Sequence, residues 1–352
     1  MKAIVCLHFY KMSKPASQVT IDDIARAAGV HPGTVSRALR GVSGKVSTDK
    51  RAEIERIANE MGYQPNFLAA SLRTKQTNMA AIVVPDLANP LFGPIVQGLE
   101  NALREQQMLC LVVQTPVDPS KRRELVVALA NRHVSGLLIL SAESDDPMLE
   151  IAKLRNLPTV LVNRGTGDRQ FSSVVSDDSE SVRLVLEHLH DLGHRSIGHI
   201  AGPSTSSTGR ARRDAFIRMT RDMGLKNCPV VEASSFTRPA GREAAVKLLK
   251  GSRRPSAVFA ANDLIALGVL DQARAIGLSV PRDLSLVGHN DMPLVDLIDP
   301  PLTTVRVAVD QMSAQAASLF LEHVSRPNQA PSTRVLMPEL VVRASTVSRS
   351  VG

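Results

Sequence analysis

Two hydrophobic periodicities divide this chain. Up to about residue 65 the apolar residues recur every three or four positions; from Met79 onward they come in short unbroken runs. In the first region, Val19 to Leu39 reads VTIDDIARAAGVHPGTVSRAL. Thr20 with Asp23 predicts a capping box, after which Ile21, Ile24, Ala25 and Ala28 share one helical face and Gly29 ends the helix. A second helix starts with Pro32 in its first turn, where the missing N–H costs nothing, and turns Val35, Ala38 and Leu39 inward. A third is capped by Ser47 or Thr48, with Ile54, Ile57, Ala58 and Met61 at helical spacing, and three such helices close a small core. The second helix's other face carries Gly33, Ser36, Arg37 and Arg40. Small residues let a helix backbone approach a DNA groove while Arg37 reaches base acceptors or phosphates. Helical hairpins with a glycine turn also occur in ordinary bundles, so spacing alone leaves both readings open.

Gly62 and Pro65 interrupt the pattern, and Asn66 then caps FLAASLR, too brief to be a stable helix alone and so a conditional one. Lys75 to Asn78 is a polar joint. Beyond it the runs AAIVVP, MLCLVVQ, GLLILS, PTVLVN, SIGHIA, SAVFAA and LSLVGH alternate with helical stretches. Unbroken apolarity predicts strands buried on both faces, hence parallel sheets covered by helices. About 270 residues of this exceed one compact sheet, so two α/β subdomains are expected, with the break near Ser176 to Asp178. Polar residues gather where strands end: Asp86 and Asn89, Asn163 and Arg164, Asn262 and Asp263, Asn290 and Asp291. Open α/β sheets bind ligands at that edge, although Asn and Asp also cap helices there. Arg210, Arg212 and Arg213 fall in a Ser/Thr/Gly-rich loop, PSTSSTGRARRDAF, either as solvated surface or as forks for a carboxylate, phosphate or paired hydroxyls.

Composition narrows the function classes. The chain has 352 residues, 43% of them hydrophobic, as in a globular protein of two or three domains. Residues 1–76 hold 12 Lys and Arg against 6 Asp and Glu, so most of the net charge of +8 sits in the first fifth. A basic head on a nearly neutral body suits a polyanion at the head and something smaller in the body. Cys6, Cys110 and Cys228 are too scattered for a disulfide framework or metal site, and their odd number fits a reducing cytoplasm. The apolar Ile4 to Tyr10 is shorter than a signal core; residues 1–18 read as a disordered extension, with Met12 an alternative start. No apolar run approaches the roughly 20 residues that span a bilayer. His188, His190, His194 and His199 straddle a helix, a turn and a strand, so no metal site is expected. No Walker loop, HExxH, GxSxG or CxxC is present, so neither catalysis nor a cofactor is implied.

Taken in order, TIDDIARAAGV with TVSRAL, VSTDKRAEI, GYQPNFLAASLR, VVPDLANPLF, HLHDLGHRSIGHIAGP, FAANDLIALGVL and DPPLTTVR resemble the LacI/GalR family of bacterial transcriptional repressors from Val19 to about Val347. The resemblance implies an all-α helix-turn-helix headpiece (19–65) and a hinge helix with its linker (66–78). A two-lobed α/β core like that of periplasmic binding proteins, built on parallel sheets, follows: an N-terminal subdomain (79–176 with 307–336) and a C-terminal one (177–306 with 337–347). It implies a homodimer, or a higher oligomer, on double-stranded operator DNA. Pro32, Gly33 and Arg37 would face base edges, and Thr20, His31, Thr34, Ser36, Lys45, Ser47, Tyr63 and Asn66 would position phosphates. Ala69 and Leu72 belong to the hinge helix, which orders on DNA and presses Leu72 into the minor groove.

The same resemblance implies a small-molecule effector held by Phe92, Asn163, Arg212, Asn262 and Asn290. Many members have Asp where this chain has Asn290. An uncharged amide beside Arg212 tolerates an anion, so a carboxylate-bearing sugar or small acid is expected alongside neutral sugars. Pro32 and Gly33 replace a longer polar pair, which leaves more of the readout to Arg37 and DNA shape. A transport solute-binding protein is the alternative reading of the core; the headpiece and the absence of a signal peptide argue against it.

Overall fold

The computed structural model describes residues 19–39, 45–63, 77–143, 145–167, 170–251 and 254–349. They fall into two compact units divided between Thr74 and Lys75.

The first unit is three helices, α1 (Ile21–Ala28), α2 (Pro32–Leu39) and α3 (Thr48–Glu60). The capping box forms: Asp23 N donates to Thr20 Oγ1 at 3.3 Å, and Thr20 N donates to Asp23 Oδ2 at 3.0 Å. Gly29 closes α1 at φ 64°, a left-handed conformation that glycine adopts without strain. Ile24, Val35 and Ile54 are fully buried at the centre, each worth about 1.5–3 kcal/mol of burial. Lys50 Nζ donates to the Ala28 carbonyl and Arg51 Nε to that of Ala38, satisfying helix-end acceptors that would otherwise lack partners. Two expectations are corrected. Ser47 occupies the cap position of α3 without a side-chain cap bond, and Met61 follows the helix end, 36% exposed, rather than joining the core. Arg40, Asn66, Ala69 and Leu72 lie outside the described residues.

In the second unit the strands are, in order, β1 (Met79–Val84), β2 (Leu109–Gln114), β3 (Gly136–Ile139), β4 (Thr159–Val162), β5 (Ser172–Ser176), β6 (Ile197–Ala201), β7 (Val230–Glu232), β8 (Ala257–Ala260), β9 (Ser285–Asn290), β10 (Thr303–Arg306), β11 (Thr333–Leu336) and β12 (Glu339–Val341). Between them run α4 (Phe92–Glu105), α5 (Pro119–Asn131), α6 (Pro147–Leu154), α7 (Asp178–Asp191), α8 (Ser207–Asp222), α9 (Arg238–Leu248), α10 (Asp263–Ala275) and α11 (Val309–Ser325). Two six-stranded sheets form, ordered β11-β5-β4-β3-β1-β2 and β12-β10-β9-β8-β6-β7. All pairings are parallel except β10 with β12. The chain passes between sheets after β5, after β10 and after β11, giving two lobes with three crossings. Among the described residues no helix is long and apolar enough to cross a membrane.

Helices cover both faces of each sheet, which is why β1, β3, β4 and β8 read as unbroken apolar runs. The exception is β2, an edge strand on which Leu109 is 70% exposed. In each sheet the strand order reverses around the first strand, β1 or β6, and the carboxyl ends beside such a reversal leave a crevice for ligands.

Candidate functional site

In the first unit, α2 turns Val35 and Ala38 into the core and keeps Pro32, Gly33, Ser36 and Arg37 half-exposed on its other side. His31 Nδ1 accepts the Gly33 amide at 3.1 Å, capping the helix. That bond fixes the tautomer with its proton on Nε2, a donor for a phosphate oxygen. Thr20 is committed to its capping box, its hydroxyl donating to Asp23 at 2.7 Å. Arg37 Nε is buried without a hydrogen-bond partner among the described residues. Lys45 and Ser47 are exposed and Thr34 half-exposed. Tyr63 packs on the three-helix core through its ring and donates its amide to the Ala58 carbonyl at 2.9 Å.

In the second unit, the strand-end residues meet in a cleft lined from both lobes, and Phe92, Asn163, Arg212, Asn262 and Asn290 are all in its lining. Leu91, Arg164, Thr208 and Phe236 join them, with Asn89, which already stood out at a strand end. The cavity is about 20 Å³, room for a water, so a sugar-sized ligand requires the lobes to part. Through Asn163 and Thr208 it adjoins a wider hollow of about 400 Å³ beside the Ser176–Asp178 crossing.

Each polar group has a determinate surrounding. Asn163 and Asn290 hold φ of 67° and 115°, conformations that side chains other than glycine rarely adopt and that concentrate at binding sites. Asn262 caps α10, its Oδ1 accepting from Ile265 N at 2.8 Å and its Nδ2 donating to the Phe236 carbonyl at 3.3 Å. Capping and cleft lining therefore coincide in one residue. Asn290 Oδ1 lies 3.0 Å from His289 Nδ1. Phe92 opens α4, 3% exposed, as part of the apolar wall.

The arginine group is corrected most. It lies in α8, not a loop, because Ser206 caps a helix there, its hydroxyl accepting from Gly209 N. Only Arg212 reaches the cleft. Arg210 Nη1 donates to the Ser204 carbonyl and Arg213 Nε to Asp214. Arg212 Nε donates to Asp178 Oδ1 at 2.7 Å and Nη1 to the Ala261 carbonyl, so its charge is already matched inside the protein. Burial pushes the Asp178 carboxyl up and Arg212 opposes the shift.

Arg164 is the residue that sequence reading undervalued. It is 9% exposed, its guanidinium lies 5.2 Å from the centre of the Phe236 ring, and its Nε is buried with no hydrogen-bond partner. Burial pulls its pKa down to about 10. The other strand-end acids are spoken for: Asp86 caps its own loop, Asp263 is buried beneath Thr304, and Asp291 pairs with Arg306 and Arg343. Two of the four histidines, His194 and His199, are built into the interior. His199 stacks between Phe216 and Phe259, and His194 lies within 3.0 Å of the hydroxyls of Ser256 and Ser285.

Comparison with known proteins agrees with this geometry. Residues 20–66 match the model of bacterial regulatory proteins of the lacI family, and residues 186–346 match a periplasmic binding protein-like domain. The chain is 33% identical to the HTH-type transcriptional regulator DegA of Bacillus subtilis (strain 168), over 94% of this chain and 98% of that one. Among solved structures it resembles the transcriptional regulator CelR in its cellobiose complex, at 31% identity, TM-score 0.72, covering 93% of this chain and 100% of the other. It also resembles the lac repressor dimer bound to operator and the anti-inducer ONPF, at 26% identity, TM-score 0.83, covering 94% and 100%. A helix-turn-helix followed by a two-lobed core, matched over 93–94% of the chain by such relatives, means that this chain belongs to the LacI family of bacterial regulatory proteins and is a DNA-binding transcriptional regulator with an effector-binding core.

Proposed function

We propose that the protein is a homodimeric cytoplasmic repressor that binds a palindromic operator and changes its grip when a small molecule occupies the cleft between the core lobes. The observation that carries this reading is the face of α2, with Val35 and Ala38 buried and Gly33, Ser36 and Arg37 left to face outward. Pro32 and Gly33 bring the backbone close to a groove floor, Arg37 reads a base edge, and His31, Thr34, Ser36, Lys45, Ser47 and Tyr63 position phosphates. The lac repressor relative, a dimer on its operator, supports the assembly, and the CelR complex with cellobiose supports a sugar-like ligand.

Ligand binding shifts the lobes only through differential affinity for their two arrangements, so ligand and DNA affinities change by the same factor. The test is fluorescence anisotropy with an operator obtained by selection, for the native chain and Arg37→Ala. Specific binding falls at least tenfold in the variant while binding to random duplex persists. Equal loss on both DNAs contradicts the assignment of α2.

A further inference from the structure

The cleft holds two arginines that differ in one respect. Arg212 has Asp178 at 2.7 Å, whereas Arg164 has no ion pair or hydrogen bond among the described residues. Glu143, the carboxylate whose field reaches Arg164, is bound to Arg122 at 2.9 Å. No unpaired acid lines the cavity; beside Arg164 stand amides and aromatic rings. A buried cation without a counterion is costly, and the Phe236 ring face offsets only part of that cost.

We infer that Arg164 is the anchor for a negatively charged effector, and that the effector is a small monocarboxylate bearing several hydroxyl groups, such as an aldonic or uronic sugar acid. The inference rests on the ligand-controlled reading above and assigns the anion to Arg164 rather than to Arg212. One unmatched positive charge calls for one negative charge. A guanidinium above a ring face spends no hydrogen bond on it, which leaves its N–H donors for a carboxylate's two oxygens. Asn163, Asn262 and Asn290 offer uncharged amides for hydroxyls, and Phe92 and Phe236 offer walls for the C–H face of the ligand's carbon skeleton. A dianionic phosphate ester would replace one unmatched charge by another.

The test is calorimetry on the full chain with paired probes, each hexonate or hexuronate against its neutral parent hexose and against the hexose phosphate. The native chain binds at least one carboxylate ten times more tightly than both counterparts. Arg164→Gln loses the preference and Arg164→Lys retains its direction. Without ligand, Arg164→Gln melts at the same or a higher temperature than the native chain, because an unmatched buried charge is gone. A parent sugar or phosphate bound as tightly as its acid, no carboxylate bound, an unchanged ratio in Arg164→Gln, or a drop of several degrees in that variant overturns the inference. A neutral sugar that binds and alters DNA affinity removes this inference and leaves the regulator reading standing. DNA binding that answers to no ligand, in a chain that still prefers carboxylates, does the reverse.

Discussion

Arg212 of α8 donates from Nε to Oδ1 of Asp178, the first residue of α7, across 2.7 Å. This bond clamps the chain where it has just crossed from β5 toward the second sheet. Both side chains are largely buried, at 3% and 14% exposure, so deleting one leaves the other's charge without compensation. Arg212→Ala therefore lowers stability by about 3–5 kcal/mol, read by urea denaturation, and replacing Asp178 by Asn in the same chain recovers part of the loss. If Arg212→Ala keeps native stability, the clamp is not the role of this pair.

Asp263, fully buried, accepts from Thr304 Oγ1 at 2.6 Å and from Met292 N at 2.8 Å, tying α10 to β10 and to the loop after β9. Burial outweighs both bonds and lifts its pKa from 3.8 to about 7. The folded state thus keeps a proton that the unfolded chain has lost, so this group's contribution to stability falls as pH rises from about 4 to about 7 and is level above. His199 works in the opposite sense: its pKa is depressed from 6.5 to about 4 by burial, and its contribution is lost as pH falls through that range. The difference between the native chain and Asp263→Asn isolates the carboxyl. From pH 5 to 7.5 the variant gains about 2–3 kcal/mol relative to the native chain; a pH-independent difference counts against the assignment.

Gly288 in β9 faces the same carboxylate. A Cβ there would stand 2.2 Å from Asp263 Oδ1 and 2.9 Å from Leu302 Cδ2. Gly288→Ala should cost about 1–3 kcal/mol or more through forced displacement. Gly93→Ala, where a Cβ meets nothing within 4 Å and the residue is helical, should leave the unfolding midpoint unchanged or slightly raised.

Lys45 is exposed and outside any helix, where it can meet a phosphate without reading sequence. Lys45→Ala weakens specific and random DNA alike and lowers the salt slope of log K by about 1, measured by titrations between low and physiological salt. A sequence-selective loss would make Lys45 a base reader instead.

Legibility followed the physics of each feature. The first capping box and the buried strands were open in the sequence, because a local hydrogen-bond pattern and two-sided burial each leave a periodic mark. Short strands such as β5 and β10 were not, since Ser172, Ser173, Thr303 and Thr304 are buried polar residues that break apolar runs. In the cleft, the strand-end amides could be named from position and resemblance. The state of charge could not: Arg212 is matched by Asp178, 34 residues earlier, while Arg164, adjacent to a chosen residue, is left unmatched by the tertiary fold. Phe236 sits between β7 and α9 with no motif of its own, and Thr208 stands in the first turn of α8 in a segment that read as a loop; folding alone brings both to the cavity.

Sequence-specific recognition by paired headpieces is tested by selecting bound duplexes from a random-sequence DNA pool with the whole chain. An inverted repeat is enriched, and its half-sites are lost from the pool selected with Arg37→Ala. Enrichment of no sequence, or of a single unpaired half-site, would contradict it.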